Sequence, residues 1–269
     1  VVIDPVLDYD PKASQTGTTS TRMVRDFIRD HGLKLHYVLE THAHADHLSG
    51  SQYLKRELGA RVAISENIQI VQETFKQVFN LAETFPTDGS QFDHLLKDGE
   101  TIRAGSLSIG VIATPGHTPA CVTFEIEDAL FTGDALFMPD FGTGRCDFPR
   151  GSAEDLYDSI HGKLYQRPDA TRVFVGHDYQ PGNRALAYQT TIGESKRSNK
   201  QLKGNTTRAE FVKFRTERDA TLAAPALLLQ SVQINIDAGR MPKPAANEKR
   251  YLSIPINLFK PTDDVGEVK

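Results

Sequence analysis

Residues 41–47 read THAHADH, and this short stretch decides the fold more than any other part of the chain. It follows the strand-like run Leu35–Glu40 and packs three histidines and an aspartate close together. Imidazole and carboxylate groups are ligands that zinc, iron and manganese share. Because alternate side chains of an extended segment face the same way, His42 and His44 can converge, and the small Ala43 leaves room between them. The stretch predicts a metal site at the end of a β-strand.

Three later segments place a polar residue after an apolar run in the same way. TPGHT at 114–118 follows the strand candidate Leu107–Ala113. TGD at 132–134 follows the second arm of a hairpin, and VGHD at 175–178 ends another apolar run. Ligands in open α/β sheets gather at the carboxyl ends of strands. The candidate metal ligands are therefore His42, His44, Asp46, His47, His117, Asp134 and His177.

Composition limits the class of protein and its partners. The 269 residues, 39% of them hydrophobic and 25% charged, suit one large domain or one domain with an extension. A net charge of −4 gives no general attraction to nucleic acid or anionic membrane, and no apolar run is long enough to span a bilayer. We therefore expect neither nucleic acid nor membrane as a partner. Cys121 and Cys146 are too few for a disulfide scaffold, so a reducing compartment fits best.

Hydrophobic periodicity outlines the elements around these motifs. Helices are predicted at Thr18–His31, Ser49–Leu58, Asn67–Asn80, Ser152–Gln166 and Thr207–Leu222. The first of them is expected to be amphipathic, with Met23, Val24, Phe27 and Ile28 on its apolar face. The polar connection Phe85–Lys97 could fold over the metal site.

The character of the chain changes after Tyr188. A basic, polar stretch at 193–205 leads into two apolar runs, Ala226–Ile236 and Tyr251–Ile256, which need a partner surface. We therefore expect a catalytic domain at residues 1–190 and a C-terminal extension of the same domain at 191–269, packed back on it. The chain starts inside a strand-like run, so we expect a preceding strand outside this sequence.

THAHADH, PGHT, TGDALF and VGHDY, in this order, resemble the metallo-β-lactamase superfamily. The resemblance runs from Val1 to about Tyr188 and implies an αββα sandwich, with two β-sheets between outer helices and metal at one edge. The superfamily alone does not name a reaction, because one fold hosts many chemistries.

The resemblance narrows at residues 138–148, which read MPDFGTGRCDF. With GHDY at 176–179, this stretch is similar to the persulfide dioxygenases, and the tail at 193–259 looks like their longer bacterial type. That resemblance implies one Fe(II) per chain, held by His42, His117 and Asp134. The substrates would be glutathione persulfide and dioxygen, and the products sulfite and glutathione. The groups that would then orient the ligands are His44, Asp46, His47 and His177.

Glutathione persulfide carries carboxylates, which Arg can bind bidentately. Arg145 is the best candidate for this contact. Asp147 could hold Arg145 or meet the substrate amine, Tyr179 could donate its hydroxyl, and Arg184 is a weaker choice. A structural ion pair of Arg145 with Asp140 or Asp147 is an equally good interpretation and is compatible with substrate binding.

Two other functions remain open. A glyoxalase II-like hydrolase of S-acylglutathione thiolesters would use two Zn ions. One zinc would be held by His42, His44 and His117, the other by Asp46, His47 and His177, with Asp134 bridging. Leu48-Ser49-Gly50, where that family has a Gly-Gly pair, and a tail without its glutathione-binding helical domain argue against it. The second alternative is a non-catalytic metal-dependent sensor or binding module, against which the complete ligand set argues.

The resemblance also suggests a compartment and an assembly. A bacterial protein of this kind would be cytoplasmic, and a eukaryotic one would lie in the mitochondrial matrix. The superfamily suggests a homodimer.

Overall fold

The computed structural model describes residues 1–258, 263 and 265–267. Its helices are α1 (Thr19–Asp30), α2 (Ser51–Leu58), α3 (Ile68–Val78), α4 (Ala153–Gly162), α5 (Ile192–Ser198), α6 (Arg208–Asp219) and α7 (Leu228–Asn235). Its strands are β1 (Val2–Ile3), β2 (Val6–Asp10), β3 (Gln15–Gly17), β4 (Tyr37–Leu39), β5 (Leu48–Ser49), β6 (Arg61–Ser65), β7 (His94–Leu96), β8 (Thr101–Ala104), β9 (Leu107–Ala113), β10 (Val122–Ile126), β11 (Ala129–Phe131), β12 (Arg172–Phe174) and β13 (Gln189–Thr191). The helices predicted from the sequence are present, with ends shifted by a few residues.

Two β-sheets form the centre of the molecule. The first is parallel, with strand order β1-β4-β6-β7, and the second is mixed, with order β13-β12-β11-β10-β9-β8. Leu39 and Leu96 of the first sheet share a buried apolar cluster with Ile109, Val122 and Phe124 of the second. Burying these inner faces against each other is what joins the two sheets.

Helices cover both outer faces. On the first sheet, α1, α2, α3 and α7 pack around Val38 and Val62. On the second, α4, α5 and α6 pack around Leu130 and Val173. This is the αββα sandwich expected from the sequence, and the C-terminal residues contribute helices to both faces. Strand β13 includes residues on both sides of the expected boundary between 190 and 191, and it belongs to the second sheet because it pairs with β12.

The inward face of α1 differs in part from the expectation, since Ile28 and Val24 contact the core but Met23 and Phe27 do not. Met23 and Phe27 are 70% and 58% exposed, whereas Thr21 and Ile28 are buried. A Cβ at Gly50 would lie 2.3 Å from the Thr21 side chain. The small Thr21 therefore faces inward and packs against Gly50. With Thr21 on the inner face of the helix, the larger side chains of Met23 and Phe27 point outward.

The polar connection 85–97 is also placed differently from the expectation. Its last part forms β7, which pairs with β6 at the edge of the first sheet. Within the connection, Gln91 is buried and accepts a hydrogen bond from Gln72 Nε2 of α3 at 2.9 Å. The segment therefore packs on the sheet and on α3. It does not line the cleft described below, so it does not fold over the metal site.

Candidate metal centre

The loops that follow β4, β9 and β11 bring three candidate ligands together. His42, His117 and Asp134 each offer one ligand atom, and these atoms lie within 4.8 Å of one another. Asp134 Oδ2 is 4.0 Å from His42 Nε2 and 3.7 Å from His117 Nε2. Two imidazoles and one carboxylate thus converge on one point, and they are the three residues that the family resemblance implied as iron ligands.

Hydrogen bonds fix the tautomer of His42. The Thr41 hydroxyl donates to Asp4 Oδ2 at 2.7 Å, so its oxygen accepts from His42 Nδ1 at 2.9 Å. The proton of the neutral ring therefore lies on Nδ1, and Nε2 keeps its lone pair. His42 Nε2 is buried and has no hydrogen-bond partner. Burial and the neighbouring histidines hold the pKa of His42 well below its usual range, which favours this neutral form. Such an orphaned acceptor fits a metal ligand.

His117 is oriented in the same way. A carbonyl can only accept, so His117 Nδ1 donates its proton to the carbonyl oxygen of Arg145 at 2.7 Å. This leaves the Nε2 lone pair directed at Asp134. Metal-binding histidines usually donate their second ring N–H to such a partner, which fixes the ring and the tautomer.

Two glycines allow these loops to approach each other. Gly116 has φ +142°, and a Cβ there would lie 2.4 Å from the Leu156 Cβ of α4. Gly133 has φ +48°, and its Cβ would lie 2.4 Å from Thr41 Oγ1. A side chain at either position would push His117 or Asp134 away from His42.

His44 belongs to a different group. Its Nε2 lies 2.9 Å from Asp4 Oδ1 and 3.4 Å from Glu40 Oε2. Burial alone would lower the pKa of His44, but these two carboxylates raise it well above its usual value. Its potential ligand atoms cluster with those of Asp46 and His47, again within 4.8 Å. The His44 ring lies 4.1 Å from the His42 ring, centre to centre, but its potential ligand atoms group with Asp46 and His47, or with Asp4 and Glu40, and not with the triad.

His177 lies between the two groups. Its Nε2 is 3.4 Å from Asp46 Oδ2 and 3.5 Å from Asp134 Oδ1. The two oxygens of Asp134 thus face different neighbours. The sequence-predicted ligands all meet in one region, but the structure divides them into a compact triad and a second set beside it.

The donor chemistry of the triad fits a divalent metal. Two neutral imidazoles and one carboxylate suit zinc and ferrous iron, and a two-His-one-carboxylate face is the arrangement of non-haem Fe(II) oxygenases. His42, His117 and Asp134 would hold the ion. The carbonyl of Arg145 and the hydroxyl of Thr41 would keep the two rings in place.

A cleft of about 280 Å³ opens onto these residues. Its lining residues are Ala45, Asp46, His117, Asp134, Phe137, Phe141, Thr143, Gly144, Arg145, His177, Tyr179, Gln201, Arg215, Arg218, Leu222 and Pro225. Tyr179 stacks on Phe141 with ring centres 4.1 Å apart and stays 54% exposed, so its hydroxyl is accessible at the cleft.

Arg145 forms one of the two ion pairs considered from the sequence, the one with Asp147, and its contact with a substrate stays a prediction. It lines the cleft, and its Nε and Nη2 donate to the two oxygens of Asp147 at 2.5 Å each. Its Nη1 donates to the carbonyl of Ala223 at 2.7 Å. Asp147 also lines a neighbouring arm of the cleft, together with Arg145 and residues 220–225. The Arg145 guanidinium is therefore fixed before any substrate arrives.

Arg184 lies outside the cleft lining, which argues against the substrate contact expected of it. Its guanidinium donates to Asp140 and to Asp178, and both contacts are bidentate. The Asp178 side chain is 2% exposed, and the guanidinium lowers the pKa of Asp178 to about 2. Arg184 therefore stabilises the turn after His177.

Sequence reasoning missed the cleft residues that come from the C-terminal extension. Arg215 forms a buried ion pair with Asp219, whose Oδ2 accepts from the Cys146 backbone N–H at 2.7 Å. Gln201 donates to the carbonyl of Phe141 at 2.8 Å. Arg218 also lines the cleft. The stretch RDATL at 218–222 belongs to the tail that resembles the bacterial persulfide dioxygenases, but the sequence alone did not indicate that Arg218 lines the cleft.

Arg218 differs from the other two arginines of the cleft, Arg145 and Arg215, in having no acidic partner among the described residues. Arg145 is neutralised by Asp147 and Arg215 by Asp219. Among the residues that the structure describes, none forms a side-chain hydrogen bond or ion pair with the Arg218 guanidinium. This group is available to an anionic ligand.

Fold and site together define a metallo-β-lactamase-type metal protein, and residues 1–177 match the family model described as the metallo-beta-lactamase superfamily. The chain belongs to this superfamily. It is 50% identical over 261 residues to "Glyoxylase B2" of Dictyostelium discoideum, covering 96% of this chain and 89% of that protein. Over 182 residues it is 37% identical to the human mitochondrial persulfide dioxygenase ETHE1, covering 66% of this chain and 59% of that protein. The crystal structure of ETHE1 from Myxococcus xanthus superposes with a TM-score of 0.69 at 31% identity, covering 88% of both chains.

Among the described residues, no helix is both long and apolar enough to cross a bilayer.

Proposed function

We propose that this protein is a persulfide dioxygenase that oxidises glutathione persulfide at a single ferrous iron held by His42, His117 and Asp134. The observation that carries the proposal is the grouping of the ligands. The two-His-one-carboxylate triad is compact, whereas His44, which a two-zinc site would need as a third histidine of the first metal, clusters with Asp46 and His47. The likeness to the human persulfide dioxygenase ETHE1, and to the crystal structure of ETHE1 from Myxococcus xanthus, supports the same conclusion.

The reaction converts glutathione persulfide, dioxygen and water into glutathione, sulfite and two protons. His42, His117 and Asp134 would hold the iron, which would supply dioxygen activation beside a bound sulfur, because a two-His-one-carboxylate set leaves positions for both ligands. The Thr41 hydroxyl and the Arg145 carbonyl bind Nδ1 of His42 and of His117, respectively, and so orient the two rings. Both lone pairs are thereby ready to hold the metal.

The cleft supplies recognition of the thiol carrier. Arg218 offers an unused guanidinium to a carboxylate of the glutathione moiety, while Arg145, already paired with Asp147, lines the same cleft. Tyr179 offers a hydroxyl, and the apolar side chains of Leu222 and Pro225 exclude water from that wall. The carrier is therefore held by the extension while its terminal sulfur points to the triad.

A second candidate is a two-zinc hydrolase of S-acylglutathione. The short distances from His177 to Asp46 and Asp134, 3.4 and 3.5 Å, favour a second metal position beside the triad. The relative named "Glyoxylase B2" favours the same reading.

One experiment separates the two. The metal-free protein is loaded with either Fe(II) under argon or Zn(II), and each form is given glutathione persulfide and S-lactoylglutathione in turn. We expect the iron form to consume dioxygen and release sulfite, and neither form to hydrolyse the thiolester at a comparable rate. Rapid thiolester hydrolysis by the zinc form, with no dioxygen consumption by the iron form, would support the hydrolase instead.

A further inference from the structure

The metal loop, residues 41–49, is hydrogen-bonded near its C-terminal end to one side chain of the C-terminal extension. Asn235, the last residue of α7, donates from Nδ2 to the carbonyl oxygens of His44 and His47, both at 2.8 Å. Its Oδ1 accepts from the Ser49 backbone N–H at 2.8 Å. Asn235 is 4% exposed, so the three hydrogen bonds are shielded from water. One amide group thus holds three successive parts of the loop.

The other end of the loop has its own anchor. Asp4 accepts from the Thr41 backbone N–H at 2.7 Å and from the Thr41 hydroxyl. Between Thr41 and Ser49 the loop carries His42 and His44. Asp4 and Asn235 therefore fix the two ends of the segment from which these ligand candidates project.

The turn after α7 also packs closely against the end of the metal loop. Gly239, just after α7, has φ +79°, and a Cβ there would lie 3.1 Å from the Ser49 carbonyl oxygen. The Ser49 hydroxyl in turn donates to Glu40, which lies beside His44. The extension thus reaches the metal loop through direct polar contacts, in addition to its apolar packing on the first sheet.

We propose that Asn235 is a positioning residue for the metal centre, so that the C-terminal extension sets the geometry and affinity of a site whose ligands all lie before residue 180. The inference rests on the metal site of the proposed function and not on its substrate. Polar groups that hydrogen-bond a metal ligand directly typically contribute about 10- to 100-fold to metal affinity, and Asn235 acts through the backbone of the loop that carries His42.

Co(II) is a suitable probe, because its visible absorption reports coordination geometry without any turnover. The metal-free protein and its Asn235→Ala and Asn235→Asp variants are titrated with Co(II). The Asp variant keeps the size and the acceptor for Ser49 but lacks the two N–H donors. The matched control is Gln52→Ala, which removes another bond to the extension, from Gln52 Nε2 to the Ala238 carbonyl, away from the loop.

We expect both Asn235 variants to bind Co(II) about tenfold or more weakly, with shifted absorption bands, while Gln52→Ala matches the wild type. Folded Asn235 variants with wild-type affinity and spectrum would overturn the proposal, as would an equal loss in Gln52→Ala. A measurement on the wild type is independent of variant folding. The Ser49 amide should exchange its proton slowly in the metal-free protein, and fast exchange would contradict the clamp. Failure of the wild type to bind Co(II) would count against the proposed function, while the exchange of Ser49 would still test Asn235.

Discussion

Arg145 and Asp147 form a two-pronged ion pair at the cleft, with Nε–Oδ1 and Nη2–Oδ2 distances of 2.5 Å. The pair fixes the Arg145 guanidinium and neutralises most of its charge. The carbonyl of Arg145 meanwhile holds His117. Arg145 is thus tied to the metal centre, and the cation with an unused charge in the cleft is Arg218 on the helix beside it.

Arg218→Ala should weaken substrate capture. Because a hydrogen-bonded charge pair contributes about 1.5–3 kcal/mol, we expect KM for glutathione persulfide to rise about tenfold or more, with kcat nearly unchanged. Steady-state dioxygen uptake at varied substrate concentration measures both constants. The matched control is Lys213→Ala, which removes an exposed cation from the same helix. An unchanged KM in Arg218→Ala would exclude this role.

Asp134→Ala should abolish iron binding in a chain that stays folded, because it removes the carboxylate of the triad. Asp46→Ala should keep about one iron per chain, since Asp46 lies in the second group. Metal analysis after anaerobic loading, with circular dichroism as the folding check, measures both. Full iron retention in Asp134→Ala, or equal loss in both variants, would contradict the assignment.

Thr41→Val should weaken metal binding although Thr41 is not itself a ligand. The change keeps the side-chain shape but removes the oxygen that accepts from His42 Nδ1, so the ring loses its fixed tautomer. We expect about a tenfold loss of affinity for Fe(II) or Co(II). Thr114→Val, which removes a buried hydrogen bond to Thr123, is the control and should bind metal normally. Equal affinities in the two variants would show that the Thr41 contact does not orient the ring.

Asp178→Asn should destabilise the fold in a pH-dependent manner. The Arg184 guanidinium lowers the pKa of Asp178 to about 2, so the ionised carboxylate stabilises the native state above the unfolded pKa of about 4. This contribution is lost as the pH falls through about 2. We expect the variant to be about 1–3 kcal/mol less stable at pH 7. Its deficit should shrink progressively below pH 4, as measured by chemical unfolding. A deficit independent of pH would show that the ion pair is not its source.

The fold and the proximity of the candidate ligands could be predicted from the sequence because their signals are local. His and Asp residues directly after apolar runs have few structural alternatives, and His42, His117 and Asp134 lie together in the structure. The rest depends on contacts between distant parts of the chain. Asn235 binds carbonyls 191 and 188 residues away, and no local pattern marks it.

The partners of charged side chains were equally hard to predict. Asp140, Asp147 and Asp178 all lie near arginines in the sequence, and only the fold decides that Asp147 binds Arg145 while the other two bind Arg184. The exposed Phe27 has a similar origin, since a close backbone approach rather than hydrophobicity set the orientation of α1.

The most direct test of the central claim is the stoichiometry of the iron-loaded protein. Purified without oxygen, loaded with Fe(II) and desalted, the protein is supplied with glutathione persulfide while dioxygen consumption and sulfite release are followed together. The account predicts about one iron per chain and one dioxygen consumed for each sulfite formed. Two metal ions per chain with no dioxygen uptake would contradict it.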